Sequence, residues 1–289
     1  MSTLRYWDYY NMTGIFTGLY EKASQKDTFT RLYEIIISRE NILLAFCTIK
    51  SNKGSKTPGT DGKTIKDIKE LSENGLVKTT QTKLKNYQPK KVRRKYIEKD
   101  NGQLRPLGIP CILDRIIQQC FKQVLEPIAE SHFYKHSYGF RPLRSTRHAM
   151  ARVQFLINQA QLHYVVDVDI KGFFDNVNHR LLIKQLWNLG IQDRRVLACI
   201  SKMLKAEIDK EGIPSKGVPQ GGILSTLLSN VVLNDLDQWV AGQWEFFPLE
   251  KNYQSKEGER RAKKRTHLKE GYLVRYADDC VPRKQTKCA

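Results

Sequence analysis

Apolar positions in the first 50 residues recur at helical spacing. RLYEIIISRENILLAFCTIK, residues 31–50, carries no turn signal until SNKGSKTPGTDGKT, residues 51–64. The chain is therefore predicted to open as helices that end in a polar loop. Farther on, YQPKKVRRKYIEK and QLRPLGIP read as two short strands across the turn Asp100-Asn101-Gly102, whose residues suit a tight hairpin. In DRIIQQCFKQVLEPIAE, the residues Ile116, Ile117, Cys120, Phe121, Val124, Leu125 and Ile128 repeat every three or four positions. That repeat predicts a helix with one buried stripe. HYVVDVDI, residues 163–170, reads as a strand, and DNVNHRLLIKQLWNLG as a helix ending at Gly190. KGVPQGGILSTLLSNVVLNDLDQWV reads as a glycine loop feeding a helix, and GYLVRY, residues 271–276, as a further buried strand. Strand–helix–strand alternations are few and no internal repeat is found, so the pattern predicts an α+β fold rather than a doubly wound sheet.

Composition adds the partner. The chain has 289 residues, 40% of them hydrophobic, enough for a sizeable core in one large domain or two subdomains. Lys and Arg number 49 against 30 acidic residues, a net charge of +19. Such an excess points to a polyanion, first of all nucleic acid, with an anionic membrane surface as the rival. The start MSTLRYWDYYNMTG lacks an apolar signal core and no run of 18 apolar residues occurs, so a cytoplasmic protein with no membrane partner is expected. The six cysteines, at 47, 111, 120, 199, 280 and 288, form no C-x-x-C pair, which argues against a zinc site or a disulfide framework. Basic residues gather between Pro89 and Ile97, where Lys90, Lys91, Arg93 and Arg94 are candidate RNA contacts. Residues 241–270 are polar and basic and are predicted to form an exposed insertion.

Against this positive background the aspartates stand out. Strand alternation puts Val165, Asp167 and Asp169 on one face. Asp278 and Asp279 close the GYLVRY strand. Buried or crowded carboxylates are costly unless solvated, paired or bound to a cation. If the two strands are neighbours, three or four carboxylates meet. Such a site suits Mg²⁺, which takes hard oxygen ligands, and a pair of ions about 4 Å apart serves phosphoryl transfer. Taken alone, Asp278-Asp279 also reads as a turn, and a strand aspartate also pairs with lysine. The residues by themselves reach nucleic-acid phosphoryl transfer and no further.

The order of five segments narrows that reading. QLRPLGIP, HSYGFRP, VDVDIKGFFDNVNH, GVPQGGILSTLLSN and LVRYADD resemble the successive motifs of a reverse transcriptase. The resemblance is greatest to the group II intron-encoded kind, the bacterial intron maturases, and it runs from about Lys50 to Asp279. It implies a right-hand polymerase: a helical N-terminal extension at 1–50, fingers at 51–160, and a palm with an antiparallel sheet at 161–289 that carries the basic insertion 241–270. It further implies that Asp169, Asp278 and Asp279, with the carbonyl of Ile170, surround two Mg²⁺ ions, with Asp167 as a neighbour. Phe174 then lies under the incoming sugar and favours deoxynucleotides, since its ring would collide with a 2′-hydroxyl. Lys99 and Arg105 hold the triphosphate, Gln220 lies near the sugar, and Arg141 contacts the template or primer backbone. Phe173 reads as core, and Asp175 and Asn178 as helix caps.

The implied activity is RNA-directed DNA synthesis together with binding of intron RNA to assist splicing. The implied partners are group II intron RNA, template RNA, DNA primer and deoxynucleotides, and a homodimer is left open. Two alternatives stand beside it: an RNA-binding maturase module with an idle polymerase site, and another bacterial class such as a retron enzyme. After the last motif the chain reads CVPRKQTKCA, where the family continues as an apolar strand and then a thumb. A loosened hairpin, a missing thumb and little processive synthesis by the 289-residue chain are the expectations.

Overall fold

The computed structural model describes residues 3–98, 102, 104–162 and 164–284. The chain opens with α1 (Thr3–Tyr9), α2 (Thr13–Ser24), α3 (Leu32–Ile36) and α4 (Arg39–Ser51), then α5 (Ile65–Lys69) and α6 (Glu73–Lys85). The hairpin β1 (Arg93–Glu98) and β2 (Leu104–Ile109) leads into α7 (Ile112–His132) and α8 (Thr146–Asn158). Next come β3 (Tyr164–Val165), β4 (Val168–Asp169), α9 (Phe173–Asn176), α10 (His179–Asn188) and α11 (Arg194–Leu204). The chain continues through α12 (Ser225–Gly242), α13 (Lys256–Lys264), β5 (Gly271–Tyr276) and β6 (Asp279–Lys284). Mixed helices and small antiparallel sheets make this an α+β fold. Among the described residues, no helix is long and apolar enough to cross a membrane.

Two compact units result, each built from separated segments. The first comprises Met1–His132 and Phe174–Ser229, the second Phe133–Phe173 and Asn230–Ala289. In the first unit the predicted stripe of α7 is the core: Ile116, Ile117, Cys120, Phe121, Val124, Leu125 and Ile128 are all fully buried. They pack against α2 and α4. The Ser38 hydroxyl caps α4 by accepting from the Asn41 amide. Buried Asn41 donates to the Ile36 and Cys120 carbonyls, and Gln123 donates to Asn41, so this polar pair leaves little hydrogen-bonding capacity unmet.

In the second unit β6 is the central strand, with β5 along one edge and β3 and β4 along the other. All pairs are antiparallel. Leu273 of β5 packs with Tyr134 and Ala241, while Val274 packs with Tyr138, Ala149, Leu156 and Leu162. Adjacent strand residues point to opposite faces, so β5 is buried on both.

Two expectations are corrected here, and a third is refined. The strand predicted over 163–170 is interrupted at Val166 and Asp167. Its register against β6 is unchanged across the gap, which faces Pro282 and Val281. Proline has no N–H to give a ladder, and that accounts for the break. The hairpin expected to be loosened is instead paired along its whole length, from Gly271↔Lys284 to Tyr276↔Asp279. Finally, the basic segment 241–270 is exposed over most of its length, as expected, with 251–257 exposed throughout, but it is anchored at a few points. Buried Lys263 donates to the carbonyls of Trp244 and Glu245, and Arg260 and Lys264 both clasp buried Glu270.

Candidate active site

The β5–β6 turn carries the paired aspartates. Ala277 stands in the left-handed region at φ 58°, which a residue with a Cβ enters only when its surroundings hold it there. Asp279, first residue of β6, is in register with Tyr276 on one side and Asp169 on the other. Directly opposed residues of an antiparallel pair have Cα atoms about 4.5–5.5 Å apart, so these carboxylates are neighbours. Burial pushes the Asp279 carboxyl above its ordinary range, and the charges of Asp278, Asp169 and Asp167 push it further. The convergence expected from sequence is therefore present within the second unit.

This all-oxygen donor set fits Mg²⁺. Among the described residues no three acidic, histidine or cysteine side chains are grouped closely enough to hold an ion alone. Mg²⁺ usually takes one or two carboxylates and completes its shell with water and substrate phosphates. The carbonyl of Ile170 accepts from the Phe173 amide at 3.2 Å. A carbonyl oxygen has two lone pairs. Phe173 is buried, as expected of a core residue.

The first unit holds the other candidates. Phe174 is buried, and its carbonyl accepts from the Val218 amide at 2.7 Å. Gly217 has φ +92°, and a Cβ there would meet the Asp175 carbonyl oxygen at 3.0 Å, so the PQGG loop sits hard against α9. Gln220 joins this loop to β2. Its carbonyl accepts from the Gly108 amide at 2.7 Å, and its side-chain oxygen accepts from Arg105 Nε at 2.9 Å. Two of the nucleotide-holding candidates are thus directly bonded. Lys99 lies outside the described residues. Asn178 caps α10 as expected, accepting from the Leu181 amide, whereas Asp175 lies inside α9 and is no cap.

The basic candidates are engaged with acids. Lys90 pairs with Asp61 at 3.1 Å and Lys91 with Glu207 at 2.8 Å. Arg94 makes a two-pronged contact with Glu211, which also accepts from Tyr96. The Arg94 bond holds the Glu211 carboxyl below its usual range. Arg93 is half-buried on the same strand. Arg141 needs a correction: it is buried, stacks on the Phe133 ring, and donates to the Tyr134 and Ser137 carbonyls at 2.8 Å. These bonds make it an internal brace of the 133–141 loop instead of an open contact for nucleic acid.

One cluster escaped the sequence reading. Arg275, in β5, is fully buried against Asp237 and Asn230 of α12. The available signal was a lone arginine inside an apolar strand, three residues before a carboxylate pair.

Likeness to known proteins shows the family. Residues 97–287 match the family model described as "Reverse transcriptase (RNA-dependent DNA polymerase)", and the chain belongs to that family. Its relatives within the family include intron-encoded proteins. It is 38% identical over 218 residues to "Group II intron-encoded protein LtrA" of Lactococcus lactis subsp. cremoris, covering 74% of this chain and 36% of that protein. It is 40% identical over 218 residues to "Protein YkfC" of Escherichia coli, covering 73% of this chain and 57% of the relative. The chain thus spans about half, or less, of the length of these relatives.

Proposed function

We propose that this chain forms the fingers and palm of a group II intron reverse transcriptase, which copies RNA into DNA and binds its intron RNA. The observation that carries the reading is the register Asp169↔Asp279 beside Asp278, a carboxylate cluster within a chain of net charge +19. Residues 1–50 are the N-terminal extension, 51–160 the fingers and 161–289 the palm.

Asp169, Asp278, Asp279 and the Ile170 carbonyl are the groups that would hold two Mg²⁺ ions. Bound there, such ions would supply Lewis-acid chemistry, neutralising phosphate charge and lowering the pKa of a hydroxyl. The protein's own groups do the rest. Arg105, a fixed fork of donors, and Lys99 grip the triphosphate. Gln220 keeps Arg105 aimed and approaches the sugar. Phe174 fills the space a 2′-hydroxyl would need. Lys90, Lys91, Arg93 and Arg94 hold the RNA backbone. The acid pairs made by Lys90 and Lys91 leave both lysines more than half exposed, and such a pair is worth about 0–1 kcal/mol, so phosphate can replace these carboxylates at little cost.

The test is primer extension on an RNA template with Mg²⁺ by the full-length protein carrying this chain. Asp169→Asn should abolish extension while leaving RNA affinity unchanged. Extension that survives Asp169→Asn would overturn the reading.

A further inference from the structure

Arg275 stands out among the described residues: no larger side chain is fully buried. Its Nε and Nη2 donate to the two carboxylate oxygens of Asp237, each at 2.7 Å. Its Nη1 donates to Asn230 Oδ1 at 3.0 Å and to the Ala277 carbonyl at 2.6 Å. Asp237 is as deeply buried as Arg275.

An ion pair in this position is not the simplest way to stabilise a strand. Replacing a buried pair by packed apolar side chains is often neutral or stabilising, because both ions must leave water. What the pair supplies is direction. The guanidinium is planar, the carboxylate matches two of its donors, and Asn230 takes a third, so the remaining bond to Ala277 can point only one way. That bond falls on the residue at φ 58°, immediately before Asp278.

The loop on the other side of the turn closes the arrangement. The Tyr138 amide donates to the Arg275 carbonyl at 2.9 Å, and the Arg275 amide to the His136 carbonyl at 3.0 Å. Asn230 Nδ2 donates to the Gly139 carbonyl at 2.9 Å. A Cβ on Gly139 would lie 2.1 Å from the Ala277 nitrogen, so backbone meets backbone there. Residues 275–277 are held by α12 through side chains and by residues 136–139 through the main chain. This accounts for the HSYG segment without giving it any chemistry.

We propose that Arg275, fixed by Asp237 and Asn230, is a positioning residue: it sets the backbone at Ala277 and thereby the aim of the Asp278 and Asp279 carboxylates. The role rests on the reading of those carboxylates as metal-holding. Arg275 touches no reacting atom; it acts through the turn.

Mn²⁺ is the probe, an octahedral oxygen-seeking ion that can be followed by loss of its free-ion electron paramagnetic resonance signal. It is titrated alone into the full chain and into the Asp278→Ala, Arg275→Lys and Asn230→Ala variants. Thermal melting and RNA affinity are measured on the same samples. Arg275→Lys keeps the charge and loses the fork, and Asn230→Ala removes one of the bonds that orient it. Both should weaken Mn²⁺ binding by roughly 10–100-fold, the usual cost of losing a residue that orients ligands, with RNA affinity unchanged. Should Arg275→Lys fail to fold, Asn230→Ala decides alone. Variants that melt earlier yet bind Mn²⁺ like the parent would show a merely structural role and overturn the proposal. Mn²⁺ binding that Asp278→Ala leaves untouched would overturn the metal-holding reading itself, and the proposal with it.

Discussion

β1–β2 and β5–β6 are both antiparallel hairpins with six paired residues in each strand. Beside the first, Lys91 meets Glu207 at the surface and exposed Lys90 meets Asp61, while Arg94 on the strand meets Glu211 with both side chains partly exposed. In the second, Arg275 meets Asp237 with neither side chain exposed to solvent. One chemistry, cation against carboxylate, serves two ends. A surface pair is worth about 0–1 kcal/mol and exchanges readily with another anion. Breaking a buried pair leaves an uncompensated charge and costs about 3–5 kcal/mol. The first hairpin is suited to gripping a ligand that comes and goes, the second to holding a turn still.

If the surface cations are the RNA grip, affinity should be steeply salt-dependent. With six or more phosphates neutralised, it should fall on the order of a thousandfold between 50 and 200 mM salt. A filter-binding titration at the two salts checks this, and a flat response would remove the first half of the comparison. Next in size, Asp237→Ala should lower the unfolding free energy by about 3–5 kcal/mol in urea. A loss below 1 kcal/mol would make the buried pair no different from the surface ones.

Phe174→Ala should raise the ratio of ribonucleotide to deoxynucleotide incorporation, by roughly a hundredfold if the ring is the whole barrier to the extra hydroxyl. An unchanged ratio would mean that buried Phe174 is core alone.

The smallest effect concerns pH. Burial, and then the charges of Arg152, Lys135 and Arg144, push the His136 imidazole down to about 3, while its Nδ1 bonds with the Tyr138 hydroxyl. Unfolded, the same group titrates near pH 6.5. Between these values the unfolded chain binds the extra proton, so stability is full above about pH 6.5 and is lost as pH falls toward 3. Melting at pH 7.5 and 5.0 should show a larger acid loss for the parent than for His136→Asn. Equal losses would place the sensitivity elsewhere.

What the sequence made legible follows from local periodicity. The stripe of α7, the charged hairpin and the two acidic strands repeat at the spacing of their own element, so neighbours in sequence reveal the buried face. What it hid depends on contacts made far along the chain. The break at Val166-Asp167 is caused by Pro282, more than a hundred residues away. Arg141 passed for a nucleic-acid contact, and the place of Lys263 within the basic segment went unread, because their acceptors are backbone carbonyls, which no composition displays. Arg275 looked like an ordinary strand residue for want of Asp237, 38 positions earlier.

The central claim is a division of labour between a cationic grip and an acidic reaction centre, and one paired measurement tests it. RNA affinity and single-nucleotide extension are determined together for the full-length protein with Lys91→Ala/Arg94→Ala and with Asp278→Ala. The account predicts that the first variant loses affinity while extension at saturating template is largely kept, and that Asp278→Ala keeps affinity and loses extension. Affinity and extension falling in step in both variants would contradict it.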